Sequence, residues 1–242
     1  MVCYINRGII IEQAIASEIE QYFDALHLDD TYENFHVRVT NNHPFADLYL
    51  HTHKTAADHF PAVVVTSEST QKTGELAELK PEIKGIGLDQ SDIDAIMGTK
   101  EYPGICTLLS DLALEEIKKT IEKKGLIYGL SMRFHKTDSV SIEIWADNVQ
   151  LKNELYQQLM LFVSGNLQNI LANKYSFNDL WIFDHTISGH PSNNYNLEFG
   201  IPLSGAHISM DVDYQVEQLV LDTEVSNLSN EIITEVVNHV RT

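Results

Sequence analysis

VSIEIWADNVQLKNELYQQLMLFVSGNLQNIL, residues 140–171, changes its period part-way, and that change decides the fold class. Val140, Ile142 and Ile144 alternate with Ser141, Glu143 and Trp145, the period of two of a half-buried strand. Ala146 closes the run, and Asp147 or Asn148 is suited to cap a helix. From there Leu151, Leu155, Leu159, Phe162, Val163, Leu167, Ile170 and Leu171 recur at helical spacing over about six turns. A strand leading through a two-residue cap into a long helix predicts a sheet with helices laid on it.

Working outward, LIYGLSMRF (126–134) reads as a second strand. HKTDS (135–139) reads as a turn, so that the pair forms an antiparallel hairpin. Before it, Leu108 to Gly125 predicts a helix with a stripe of Leu109, Leu112, Leu114, Ile117 and Ile121, and Gly125 as its C-cap. Near the N-terminus, Gly8 to Leu28 predicts a helix on Ile11, Ala14, Ile15, Ile19, Tyr22, Phe23 and Leu26. FHVRV (35–39) and DLYLHT (47–52) alternate as strands do. PAVVV (61–65) is continuously apolar, as suits a central strand buried on both faces, with Pro61 at its start. Residues 66–104 turn polar and predict an insertion or surface excursion holding one short helix, capped by Ser91 with Asp94 three residues on, and with Ile93, Ile96 and Met97 on its apolar side.

Towards the C-terminus, residues 181–188, 195–205 and 207–225 alternate as strands. His207, Ser209, Asp211, Asp213 and Gln215 share one face of the last, and Ile208, Met210, Val212 and Tyr214 share the other. Leu228 to Val240 predicts a terminal helix. The expectation is an α+β fold over residues 1–242: a mixed or antiparallel sheet flanked by helices, with a polar insertion at 66–104 and a β-rich C-terminal extension at 180–242.

Charge narrows the function. Acidic residues number 35 against 16 basic ones, a formal net charge of −19. Nucleic-acid affinity comes mainly from Lys and Arg neutralising phosphates, so direct nucleic-acid binding is not expected. Anionic membranes are disfavoured for the same reason. No run of about 20 apolar residues is present to span a bilayer. Ile9 to Ile11 is too short for the core of a signal peptide, so synthesis in the cytoplasm is expected. Cys3 and Cys106 read as free thiols.

Chemical motifs are sparse. His51, His53, Asp58 and His59, in HTHKTAADH, resemble the HxHxDH signature of metallo-β-lactamase-like hydrolases, but the Asp-His pair comes five residues after the second His instead of two. His51, His53 and His59 give the metal-dependent hydrolase alternative; polar strand-end histidines are the plainer reading. Asp89, Asp92 and Asp94 do not follow the EF-hand spacing, and helix capping explains them. GIGLDQ (85–90) lacks the Lys and third Gly of a phosphate cradle. Ser204, with His207 nearby, has no third triad member, and reads as a hairpin turn. No catalytic residue, metal site or cofactor is expected.

The segment VSIEIWADNVQLKNELYQQL (140–159) resembles the strand-to-helix unit of bacteriophage tail-terminator and related neck or tail-completion proteins. The N-terminal helix (9–26) and FPAVVV (60–65) are similar to that family's order. The resemblance implies a β-sheet flanked by helices, no enzyme activity, and a virion protein that forms a homo-oligomeric, usually hexameric, ring joining tail tube to head connector, with other phage neck or tail proteins as partners. The excursion at 66–104 and the segment from Leu180 onward depart from it. A third reading is an acidic adaptor that binds a basic protein.

Overall fold

The computed structural model describes residues 1–26, 38–40, 60–69, 82–98, 103–175, 182–196 and 202–225. Its strands are β1 (Val2–Ile9), β2 (Arg38–Thr40), β3 (Ala62–Ser69), β4 (Glu82–Leu88), β5 (Ile105–Leu108), β6 (Ile127–Ala146), β7 (Ile182–Asn196) and β8 (Pro202–Asp222). Its helices are α1 (Ile11–Ala25), α2 (Gln90–Gly98), α3 (Asp111–Lys124), α4 (Val149–Phe162) and α5 (Gln168–Lys174), with a π turn (Val163–Leu167) joining the last two. The fold is α+β.

Two long strands form the spine. β6 and β8 run antiparallel in unbroken register from Tyr128↔Asp222 to Ala146↔Ser204. At one end β4 flanks β6 and β1 flanks β8. At the other end β3 flanks β6 and β7 flanks β8. β5 lies beyond β1, and β2 beyond β3. The β2–β3 pair is parallel and the other ladders antiparallel, so the sheet is mixed.

The two apolar clusters lie on opposite faces of the sheet, and at the β4 end Leu130, Met132 and Val220 are buried on the other face as well. Val140, Ile142 and Ile144 of β6, with Ile208, Met210, Val212 and Tyr214 of β8, pack under α1, α4, the π turn and α5. At the other end Ile127, Leu219 and Leu221, with Cys3 and Ile5 of β1, pack under α2 and α3. The first set is even-numbered and the second odd, and alternation along an unbroken ladder puts them on opposite faces.

Several expectations change here. HKTDS (135–139) is not a turn: His135 to Ser139 pair with Gln215 to Asp211, and β6 passes straight through. The five residues contain neither Gly nor Pro, and long strand partners outweigh a polar composition. Residues 82–98, expected in a surface excursion, belong to the fold. β4 pairs with β6, and Ile93 and Ile96 of α2 are buried in the second core. Its cap is Asp89, not Ser91: Asp89 Oδ1 accepts from the Asp92 N–H at 3.0 Å, and Asp92 Oδ2 accepts from the Asp89 N–H at 3.0 Å. The Ser91 hydroxyl, and after it the Asp92 N–H, hold the Asp89 carboxyl below its usual range.

The C-terminal strands are no appendage either, since β8 lies between β6 and β1 at the middle of the sheet. The three strands expected over residues 181–225 are two, β7 and β8, in the described residues. Ser204 is buried in β8 opposite Ala146 and forms no turn. Gly8 and Ile9, expected at the start of the first helix, instead end strand β1 (Val2–Ile9). Val63, Val64 and Val65 are fully buried in β3, as the apolar run requires. Ser110 caps α3, and Gly125 ends it at φ 82. Leu112 of the predicted stripe is 74% exposed, and Ala113 takes the inward position.

Candidate interaction surfaces

A polar seam marks the place where the second core ends. Arg7 Nη1 donates to Glu217 Oε2 at 2.7 Å. The Ser131 hydroxyl and Arg133 Nε donate to Glu217 Oε1 at 2.6 and 3.2 Å. Arg7 and Glu217 are both buried. Burial pulls the Arg7 guanidinium below its ordinary value, and the charge and hydrogen bond of Glu217 oppose that pull. The seam joins β1, β8 and β6 where alternation alone no longer supplies apolar partners. It is an internal tie, since a buried ion pair is costly to break and gives little net stability when whole.

A second tie lies at the border of the first core. The Tyr214 hydroxyl donates to Asp138 Oδ2 at 2.6 Å, and Lys136 Nζ donates to the same oxygen at 3.1 Å. Nearby, the Ser67 hydroxyl donates to Glu12 Oε2 at 2.5 Å and ties β3 to α1. Burial first, then the hydrogen bond and charge of Asp138, push the Tyr214 phenol far above the tyrosine range.

The residues singled out for chemistry fare differently. His51, His53, Asp58 and His59 lie outside the described residues. Asp89 and Asp92 are a helix cap, and Asp94 accepts from Gln90 Nε2. Gly85 to Leu88 are strand β4. His207 Nε2 meets the Ser209 hydroxyl at 2.9 Å on the polar face of β8. That face carries Asp211 and Asp213, which accept from Ser139 and Thr137 of β6, so part of the acidic charge forms a cross-strand ladder on the sheet face opposite the first core. Among the described residues, no three His, Cys, Asp or Glu stand close enough to hold a metal. Cys3 is buried and Cys106 half-buried, and both are free thiols.

Among the described residues, two apolar surfaces stand exposed beside the helices and the sheet. The first is a groove of ≈ 660 Å³ on the outer side of α4 and the π turn, lined by Tyr156, Gln157, Met160, Leu161, Ser164 and Gly165. Leu161 is 68% exposed. The helices beneath are held firmly: Tyr22 stacks on Phe162 at 4.3 Å between centroids, and Lys174 Nζ and the Tyr175 hydroxyl donate to Glu18 of α1 at 2.6 and 2.8 Å. The second surface is the outer face of β1 and β5. Val2 and Tyr4 point away from Cys3 and Ile5, and Leu108 lies on the same side opposite Asn6. Their exposures are 46%, 56% and 61%.

No family model matches the chain, and no curated protein matches it in sequence. The surfaces themselves therefore carry the functional argument. Sequence reasoning passed over both. Met160 and Leu161 fall off the inward stripe of Leu155, Leu159 and Phe162, and an apolar residue off the stripe is the signal that marks such a surface. Val2 and Tyr4 carry the same signal on β1, once that segment is read as a strand.

Proposed function

We propose that the chain is a structural virion protein that assembles with copies of itself into a ring at the neck or tail end of a bacteriophage. The observation that carries this reading is the pair of unlike open apolar surfaces, one on a helix layer and one on a sheet face. A two-fold dimer buries the same patch on both partners, whereas contact between two different patches repeats head to tail and gives a ring where the rotation closes. The resemblance to tail-terminator and neck proteins rests on residues 140–159, which form the end of β6, the Asn148 cap and most of α4. The net charge of −19 suits a ring that lets DNA pass without adhering.

Negative-stain electron microscopy of the purified chain tests the reading. Rings of one diameter are the expected result. Particles of single-chain size at every concentration, or two-fold dimers, would overturn it.

A further inference from the structure

We infer that the outer face of β1, with Tyr4 at its centre, docks into the groove on α4 and the π turn of a neighbouring copy of this chain. The inference rests on the ring reading above and names the two surfaces that meet.

Charge selects them. Each copy carries a formal net charge of −19, so copies repel. They can touch only where no like charges are brought together or stripped of water. The outer side of α4 meets that condition and α3 does not. Asp, Glu and Lys fill eight of the 14 positions of α3. From Tyr156 to Leu171, through the end of α4, the π turn and into α5, none of the 16 residues is charged. The exposed positions there are held by Gln157, Leu161, Ser164, Gly165, Asn166 and Asn169.

The β1 face is depleted in the same way. β1 holds a single charge, Arg7, and that side chain is buried against Glu217. The exposed residues Val2, Tyr4 and Asn6 are uncharged, and Gln218 Nε2 beside them donates to Asn6 Oδ1 at 2.8 Å. The neighbouring strand β5, ICTL, carries no charge either. A basic protein would be drawn to the acidic faces instead, such as the Asp211 and Asp213 side of β8, and gains nothing from these two surfaces. On a chain of this net charge, the occupant that uncharged apolar surfaces suit is a second copy.

The side chains fit the two roles. Tyr4 stands 56% exposed on a strand, a large and rigid side chain of the kind that anchors interfaces. The groove offers Met160 and Leu161 to its ring, and the flexible thioether of Met160 packs well against an aromatic edge. Gln157 and Ser164 give the phenol hydroxyl polar partners at the rim, which a buried tyrosine needs. Gly165 has no atom within 4 Å of where a Cβ would stand, and leaves room for the incoming strand.

The test uses full chains with one substitution each. Leu161→Glu puts a charge in the groove, and Tyr4→Glu puts one on the β1 face. Far-ultraviolet circular dichroism and melting temperature check that both fold. Should either fail that check, Leu161→Ser or Tyr4→Ser takes its place, with association expected to weaken about tenfold. Native mass spectrometry is expected to find the wild type as a closed oligomer and each Glu variant alone as single chains, with association weakened roughly 30-fold or more. Mixed in equal amounts, the two variants keep one intact groove and one intact β1 face, and should give a complex of one chain of each. A variant that keeps the wild-type mass would overturn the inference and leave the ring reading standing, closed through other surfaces. So would a mixture that forms no pair although each variant alone is single. A variant that pairs with itself would set one surface against its own copy, and would overturn both readings. A wild-type chain that stays single would also overturn both.

Discussion

At Gly129 a side chain has nowhere to go. A Cβ there would stand 2.1 Å from the Val220 carbonyl oxygen and 2.9 Å from Leu221 Cα. The obstruction is backbone of the central strand β8, which cannot swing aside. Gly129→Ala is expected to cost about 3 kcal/mol, the upper range for overpacking, in a denaturant titration. Gly98→Ala, with nothing within 4 Å, is the control and should cost nothing.

Tyr214 gives a pH signature. Its ordinary value is 10.0, and in the fold it is raised. Above pH 10 the unfolded phenol ionises while the folded one keeps its proton, so the unfolded state binds fewer protons and stability falls as pH rises. Between pH 9 and 11 stability should fall by about 1.4 kcal/mol more than in Tyr214→Phe, most of it above pH 10. Equal slopes in the two proteins would contradict the burial of that hydroxyl.

At the scale of elements, the joint between β6 and α4 hangs on one side chain. Asn148 Oδ1 accepts from the Leu151 N–H at 2.7 Å, while Asp147 Oδ1 accepts only from the neighbouring Asn148 amide at 3.2 Å. Asn148→Ala should cost about 1 kcal/mol and Asp147→Ala a few tenths, measured by thermal unfolding. Elements whose period is carried by many apolar residues were legible in the sequence: α1, α3, α4, and the buried β3. What was not legible depends on partners far along the chain. Whether residues 135–139 turn or run straight is decided by β8, some 75 residues later, whose unbroken pairing is invisible to local composition. Residues 82–88 look like a polar loop because Glu82 and Lys84 alternate with two glycines and two isoleucines, and only the edge of β6 makes a strand of them. The open surfaces were present as misplaced apolar residues, Leu161 and Tyr4, whose meaning needs the stripe and the strand around them to be known first.

For the whole molecule, the decisive feature is that the two apolar clusters lie on opposite faces of one sheet. This leaves helices on opposite sides of one spine, and it makes the two open apolar surfaces unlike in kind as well as in place. Exposed apolar patches of this sort mark interaction sites on soluble proteins. Leu161 stands 68% exposed in the groove, so its replacement by Glu should leave the fold intact and change only association.

The native mass of the purified wild-type chain, with metal analysis on the same sample, tests the central claim most directly. The account predicts a single closed oligomer of more than two copies, of fixed size across protein concentration, as heterologous contacts give when their rotation closes. A metal-loaded monomer, or a chain that stays monomeric or dimeric at every concentration, would contradict it.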